Sequence, residues 1–255
     1  MMHLPPSPSF RLDGKRAVVT GGSGGIGAAA AAALGRAGAH VTVIARRQAE
    51  LENVCSALRA EQISCEAIVL DVTCSSDVDA ALQAHEPYDI LVNNAGMNRP
   101  VPLVEQTDED IDAVLALNVK AAFYMSRAVA RRLLARGGGG SIINVSSQMG
   151  HVGSARRVLY CASKHAMEGM TKALAWELGS AGIRVNSICP TFIDTPLTAP
   201  MFEKDGFRQW VCDRIALGRV GQVQEVMGAV VFLASEASSL MTGSALMLDG
   251  GWTAA

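Results

Sequence analysis

The run T-G-G-S-G-G-I-G at residues 20–27 does most to limit what this chain can fold into. It follows a short apolar stretch at 15–20 and opens an Ala-rich helical pattern at 26–37. Glycines at such a junction let the backbone turn tightly and approach a pyrophosphate, while the helix amino terminus offers N–H donors and the positive end of its dipole. A flexible loop would have the same letters, so the dinucleotide reading rests on the strand before it and the helix after it. Gly22, Gly24 and Gly27 satisfy G-x-G-x-x-G, and Gly21, Gly25 and Gly27 satisfy G-x-x-x-G-x-G. Sequence physics leaves both frames open.

Strand and helix patterns alternate beyond this point. Strands are expected at 15–20, 40–45, 66–71, 88–93, 141–146, 183–188 and 245–249. Helices are expected at 26–37, 48–60, 76–84, 107–135, 159–180 and 223–235, with 190–220 irregular or lightly helical. This order predicts βαβ units and an α/β fold: a doubly wound, parallel, seven-stranded sheet with helices on both faces. Ligands in such folds bind beyond the carboxyl ends of the strands. Residues 1–14 read as a loose arm and 15–255 as a single domain, with no internal repeat and no linker.

Composition agrees and narrows the function classes. The chain is 49% hydrophobic but only 5% aromatic, so small aliphatic residues dominate, as suits a sheet buried on both faces. The net charge is −2, without the clustered Lys and Arg of a nucleic-acid surface. No uncharged apolar stretch reaches membrane-spanning length. The prolines in M-M-H-L-P-P-S-P-S-F stand where a signal peptide needs an apolar run. The six cysteines include no C-x-x-C pair and none at a zinc-ligand interval from a histidine, so reduced thiols, a cytoplasmic protein and no metal site are expected.

The end of the second strand bears on which dinucleotide binds. An NAD site places an acid there, about 20 residues past the glycines. Here Arg46 and Arg47 follow the strand, and the first acid is Glu50. An arginine at this point suits a 2′-phosphate, and cations at a helix start otherwise run against the dipole, so NADP(H) is favoured over NAD(H). Asp71, ending strand three, suits either an adenine amino contact or a turn.

Tyr160 and Lys164 lie four apart at a helix start and share a face. A neighbouring ammonium lowers a phenol's pKa, so Tyr160 is a candidate proton donor and acceptor. An ordinary surface pair has the same spacing. Ser147, just past strand S-I-I-N-V-S, is placed to hold a substrate oxygen. Asn118 sits inside the long helix 107–135, where asparagine is unfavourable and calls for a local reason. It could hold a water linking Lys164 to solvent, or lie exposed on the helix surface.

Together these pieces resemble the short-chain dehydrogenase/reductase family, from Lys15 to about Trp252. The matching segments are T-G-G-S-G-G-I-G, Asp71-Val72, N-N-A-G at 93–96, Asn118, S-S at 146–147, Y-C-A-S-K at 160–164, R-V-N-S-I-C-P at 184–190 and the terminal L-D-G-G. The resemblance implies a single-domain Rossmann fold and selects the Gly21, Gly25, Gly27 frame. It implies Tyr160 as acid and base, Lys164 as the residue that lowers its pKa and binds ribose, Ser147 as carbonyl orienter and Asn118 as relay. Cofactor contacts are implied at Ser23, Ile26, Arg46, Arg47, Asp71, Val72, Asn94, Ala95, Gly96, Pro190, Ile193 and Thr195. One departure stands out: Thr191 follows Pro190 where the family commonly has glycine.

Residues 191–219 are expected to form the substrate lid. Arg99, Gln148, His151 and Arg157, with Arg156, flank the motifs and would suit a carboxylate or polyhydroxy substrate. Solvated loop arginines are the alternative. The segments N-A-G-M-N-R-P and S-S-Q-M-G are similar to those of gluconate 5-dehydrogenase-like members. The resemblance therefore implies an oxidoreductase that interconverts a secondary alcohol and a ketone on a sugar acid or polyol. A 3-oxoacyl thioester reductase is the alternative, and the intact tetrad weighs against a non-catalytic NADP-binding sensor. It further implies a homotetramer.

Overall fold

The computed structural model describes residues 3–254; positions 1, 2 and 255 of the expected arm and domain lie outside the described residues. Seven strands form one sheet: β1 (Arg16–Thr20), β2 (His40–Ala45), β3 (Cys65–Val69), β4 (Ile90–Asn93), β5 (Gly140–Val145), β6 (Ile183–Pro190) and β7 (Ala245–Leu248). Their order is β3-β2-β1-β4-β5-β6-β7, and every pair is parallel. The order reverses between β1 and β4, which opens a crevice at their carboxyl ends.

Helices cover both faces, as the alternation predicts. α1 (Gly25–Arg36), α2 (Gln48–Ala60) and, late in the chain, Gln224–Ala234 bury Leu34, Leu51 and Val230 against one face with Val19, Val43 and Val92. α3 (Ser75–Gln83), Ala121–Arg136 and Val158–Leu178 cover the other, burying Val78, Val129 and Leu178 with Val18, Ile44 and Leu91. Neighbouring strand residues Val18 and Val19 thus enter different cores, the two-residue period of a strand buried on both sides. Each fully buried aliphatic side chain contributes about 1.5–3 kcal/mol.

Three local expectations change. The single helix over 107–135 is two helices, α4 (Asp108–Leu115) and α5 (Ala121–Arg136), joined through a π-turn at Ala116–Lys120 that contains Asn118. Thr107 caps α4 by accepting from the Asp110 N–H. By length and composition 108–136 is long and apolar enough to cross a membrane, but half of its most apolar window is buried, with Met125, Val129 and Leu133 in the core. The arm is tied down at its end: Leu12 is buried in the first core, its N–H donates to Ala37 O at 2.8 Å, and Phe10 packs on Phe232. Strand β3 stops at Val69, leaving Asp71 in the following turn.

α6 (Val158–Leu178) carries the Tyr160–Lys164 pair. After β6 come α7 (Ala199–Phe202) and α8 (Phe207–Cys212), short helices in the 190–220 stretch as expected, and then α9 (Gln224–Ala234). Phe192, Phe202, Phe207, Trp210 and Trp252 stack at centroid separations of 5.6–6.2 Å and give this segment a small core of its own. That core also contains Met149 and Tyr160, so the segment is packed onto the site.

Candidate active site

The glycine turn distinguishes the two frames left open by sequence. Gly21 and Gly25 have positive φ, at 64° and 53°. A Cβ on Gly27 would stand 2.3 Å from Gly21 O, whereas one on Gly24 would meet nothing within 4 Å. Gly27 serves both frames and a Cβ on Gly22 would also crowd Val43 at 2.9 Å, so what separates them is the positive φ required at Gly21 and Gly25 against the open space at Gly24. N-N-A-G braces the turn: Asn94 Nδ2 donates to Thr20 O and Gly21 O at 3.0 and 3.1 Å, and Thr20 Oγ1 accepts from the Asn94 and Ala95 N–H groups. A role for Asn94 in holding the glycines was invisible in sequence, because its partners lie over 70 residues away.

A cleft of about 550 Å3 runs from this turn across the sheet edge, lined by Ser23, Ile26, Arg46, Arg47, Asp71, Val72, Ala95 and Gly96 among others. Arg47 is ion-paired with Glu50 one turn along α2. Arg46 is exposed at the cleft and makes no ion pair among the described residues. Asp71 Oδ1 accepts from Thr73 Oγ1 and Thr73 N, which with the Arg46 charge holds its carboxyl below the ordinary range. The turn-forming role of Asp71 is thus realised at the cleft wall.

The cleft continues into a deeper space bordered by Ser147, Tyr160, Lys164, Pro190, Ile193 and Thr195. Lys164 is buried; its Nζ donates to Val145 O at 2.9 Å and lies 5.6 Å from the centroid of the Tyr160 ring. Burial lowers this ammonium to about 8. Burial also pushes the Tyr160 phenol above its ordinary value, and Ser147 and the Arg157 charge only partly oppose this. This differs from the lowering expected beside a lysine: desolvation of the phenolate outweighs the nearby charge.

Ser147 Oγ donates to Gln148 Oε1 at 2.7 Å and accepts from Met149 N at 3.1 Å, which fixes the hydroxyl at the carboxyl end of β5. Asn118 is fully buried, so the surface reading is excluded. Its Oδ1 accepts from Met97 N, and its Nδ2 donates to Met97 O and to Ser163 Oγ at 2.9 and 3.0 Å. Both amide protons are thereby engaged by protein groups, so the side chain clamps the loop after β4 to α6. The π-turn is the local reason the sequence asked for, since it re-aims one side chain inward.

Of the four residues expected to meet substrate, the structure brings two to the pocket. Gln148 and Arg157 line a space of about 60 Å3 beside Ser147 and Tyr160. Arg99 does not: it is half exposed and paired with Asp110 at 3.1 Å. His151 turns the other way, its Nε2 3.6 Å from Glu168 and 3.4 Å from Cys189 Sγ. Arg156 is exposed as well. Asn98, Met149, Thr191, Phe192, Leu197, Thr198 and Met201 also line the pocket, and sequence reasoning missed all but the lid in outline. Asn98 Oδ1 and Thr191 Oγ1 are buried without a hydrogen-bond partner, a signal only coordinates reveal.

Arg157 is the unusual member. It is only 8% exposed, yet no carboxylate lies within ion-pair distance among the described residues. Its guanidinium packs over the Phe192 ring at 5.3 Å and donates to Met201 Sδ at 3.6 Å, and burial pushes its pKa down. A buried cation left with such weak partners is costly unless an anion completes it.

Comparison with known proteins bears on all of this. A family profile described as enoyl-(acyl carrier protein) reductase matches residues 21–253. The gluconate 5-dehydrogenase of Gluconobacter oxydans is 39% identical over 248 residues, covering 96% of each chain. The L-xylulose reductase of Bos taurus is 39% identical over 245 residues, covering 96% of this chain and 99% of that one. A crystal structure of gluconate 5-dehydrogenase from Burkholderia cenocepacia, in complex with NADP and tartrate, is 36% identical with a TM-score of 0.93, covering 96% of this chain and 98% of that one.

Proposed function

The chain belongs to the short-chain dehydrogenase/reductase family, and from that premise we propose that it is an NADP(H)-dependent oxidoreductase interconverting a secondary alcohol and a ketone on a sugar acid or polyol. The observation that carries the substrate class is Arg157, a buried guanidinium without a carboxylate partner in the pocket beside Tyr160. A substrate carboxylate or a row of hydroxyls would supply the missing acceptors. The buried, unpartnered oxygens of Asn98 and Thr191 suit hydroxyl donors in the same ligand.

The glycine cradle fits a dinucleotide, since a Cβ on Gly27 would fill the close approach of helix to turn and one on Gly21 would strike Asn94 and Ala95 at the cleft wall. Gly21, Gly25, Gly27, Ile26, Asn94 and Thr195 would hold it, with Arg46 at the 2′-phosphate and Arg47 kept by Glu50. The nicotinamide, when bound, supplies or takes the hydride. Ser147 holds the carbonyl oxygen, and the neutral Tyr160 hydroxyl donates its proton to that oxygen in the reductive direction. Lys164 holds its positive charge near the phenol and favours phenolate when the proton leaves. Asn118 acts as a positioning residue through Met97 and Ser163.

We read the described residues as one domain with 191–219 as its lid, and the protein as a cytoplasmic homotetramer. The lid's aromatic packing, six free cysteines, and the exposed Trp176 and Phe123 on α6 and α5 support these readings.

NADPH oxidation on a panel of keto sugar acids, neutral ketoses and 3-oxoacyl thioesters tests the assignment. Turnover of keto sugar acids or ketoses, lost in Tyr160→Phe with NADPH binding retained, is expected. Turnover confined to the thioesters would overturn the substrate class. NADPH binding without turnover of any of them would point to a sensor.

A further inference from the structure

His151, Glu168 and Cys189 come from three elements and meet one helical turn beyond Lys164. His151 follows the short turn after β5, Glu168 is one helical turn beyond Lys164 on α6, and Cys189 is the penultimate residue of β6. Cys189 Sγ lies 3.4 Å from His151 Nε2 and 3.4 Å from Glu168 Oε1, and His151 Nε2 lies 3.6 Å from Glu168 Oε2. We propose that these three side chains form a binding site for a divalent transition metal, with zinc the ion their nitrogen, oxygen and sulfur donors suit.

The geometry carries the proposal. Zinc–ligand bonds of about 2.0–2.3 Å in a tetrahedron place neighbouring donor atoms roughly 3.3–3.6 Å apart. The sulfur–nitrogen separation of 3.4 Å falls in that range. Cys189 and His151 approach different oxygens of Glu168, and with one donor atom from each residue the three lie within 4.8 Å of one another, so a rotation of the carboxylate would close the set around an ion. Three protein ligands leave a fourth position for water, the open form of zinc coordination. The surroundings also resemble those of a metal site. Ser187 Oγ donates to Glu168 Oε2 at 2.8 Å and orients the carboxylate, as outer hydrogen bonds do for ligands. Ser146 Oγ is buried, 4% exposed, and has no partner. A Cβ on Gly150 would stand 3.0 Å from that oxygen and 3.1 Å from Glu168 Cγ, so both border the same space. This hydroxyl is free to hold a water on the metal. Glu168 and Cys189 are buried while the His151 side chain is 30% exposed, which gives an ion a path in.

No short-range spacing announces this site, because its ligands are 17 and 21 residues apart in sequence; the expectation of no metal rested on short intervals alone. Binding would transfer the thiol proton of Cys189 to solvent and form a metal–thiolate bond.

Cobalt(II) titration of the chelator-stripped, full-length protein is the test, because a cobalt–thiolate bond absorbs in the near ultraviolet and tetrahedral cobalt has intense visible bands. One equivalent of cobalt is expected to saturate these bands, and zinc to abolish them by competition. Cys189→Ser should remove the thiolate band. His151→Ala, at a partly exposed position, should weaken cobalt binding about tenfold or more. Absence of a thiolate band, or its persistence in Cys189→Ser through another thiol, would overturn the proposal. So would unchanged cobalt affinity in His151→Ala, which decides the matter even if Cys189→Ser does not fold.

Discussion

Lys164 Nζ lies 5.6 Å from the centroid of the Tyr160 ring while donating to Val145 O at 2.9 Å. The ammonium is thus anchored to the end of β5, on the strand that leads into Ser147, and it faces the phenol from a fixed position. Burial raises the phenol and lowers the lysine, so their titrations move apart and the lysine is the first to lose its proton as pH rises. At neutral pH the pair is a neutral acid beside a cation, the state suited to giving a proton to a carbonyl oxygen.

The pH dependence follows from these directions. Reduction needs Tyr160 protonated and Lys164 charged. The phenol stays protonated well into the alkaline range, whereas Lys164 loses its proton as pH rises through about 8. The kcat/KM for ketone reduction should be level below that value and fall above it. Oxidation needs the phenolate and should instead gain as pH rises from neutrality. A pH profile in both directions checks this, and reduction that increases from pH 7 to 9 would contradict it.

Arg157 should discriminate between substrates by charge. A charge-assisted hydrogen bond is worth about 1.5–3 kcal/mol, so Arg157→Met should lower kcat/KM for a keto sugar acid roughly 10–150-fold. A neutral ketose should lose less. Arg157→Lys, which keeps charge but not the planar fork, should restore part of the loss. Equal losses on acid and neutral substrates would assign the residue to packing on Phe192 instead.

Arg46 should set cofactor choice, because Arg47 is held by Glu50. Arg46→Asp is expected to weaken NADPH binding about tenfold or more, through loss of a phosphate contact and introduced repulsion. NADH binding should be unchanged or improved. Fluorescence titration with both cofactors measures this, and NADPH binding that survives the substitution would move the 2′-phosphate contact elsewhere.

The two glycine frames separate by mutation. Gly21→Ala puts a side chain at a φ of 64°, with its Cβ 2.9 Å from Asn94 Nδ2 and 3.0 Å from Ala95 Cα, and should cost about 1–3 kcal/mol of stability, with loss of cofactor binding. Gly24→Ala meets nothing within 4 Å at an extended backbone, and its melting temperature should stay near that of the parent. Thermal unfolding of both variants reads the contrast.

Local pattern was enough for the architecture. A period of two in the strands, a period near 3.6 in the helices and glycines between them specify alternating elements, and alternating elements admit few sheets. The tetrad was legible for a similar reason: Ser147, Tyr160 and Lys164 follow a strand end or share one helical face, so short-range geometry places them. Asn118 was half legible, since its poor fit to a helix could be seen but the π-turn and its partners Met97 and Ser163 could not. The direction of a side chain leaving a loop was not legible at all. Arg99, His151 and Arg157 looked alike in sequence, yet packing sent Arg99 to Asp110, His151 to Glu168 and Cys189, and Arg157 into the pocket under Phe192. Periodicity constrains where the backbone runs, because each residue repeats its neighbour's rule. Partners drawn from distant elements obey no such rule, and only the tertiary structure decides which charge is paired and which is left for a ligand.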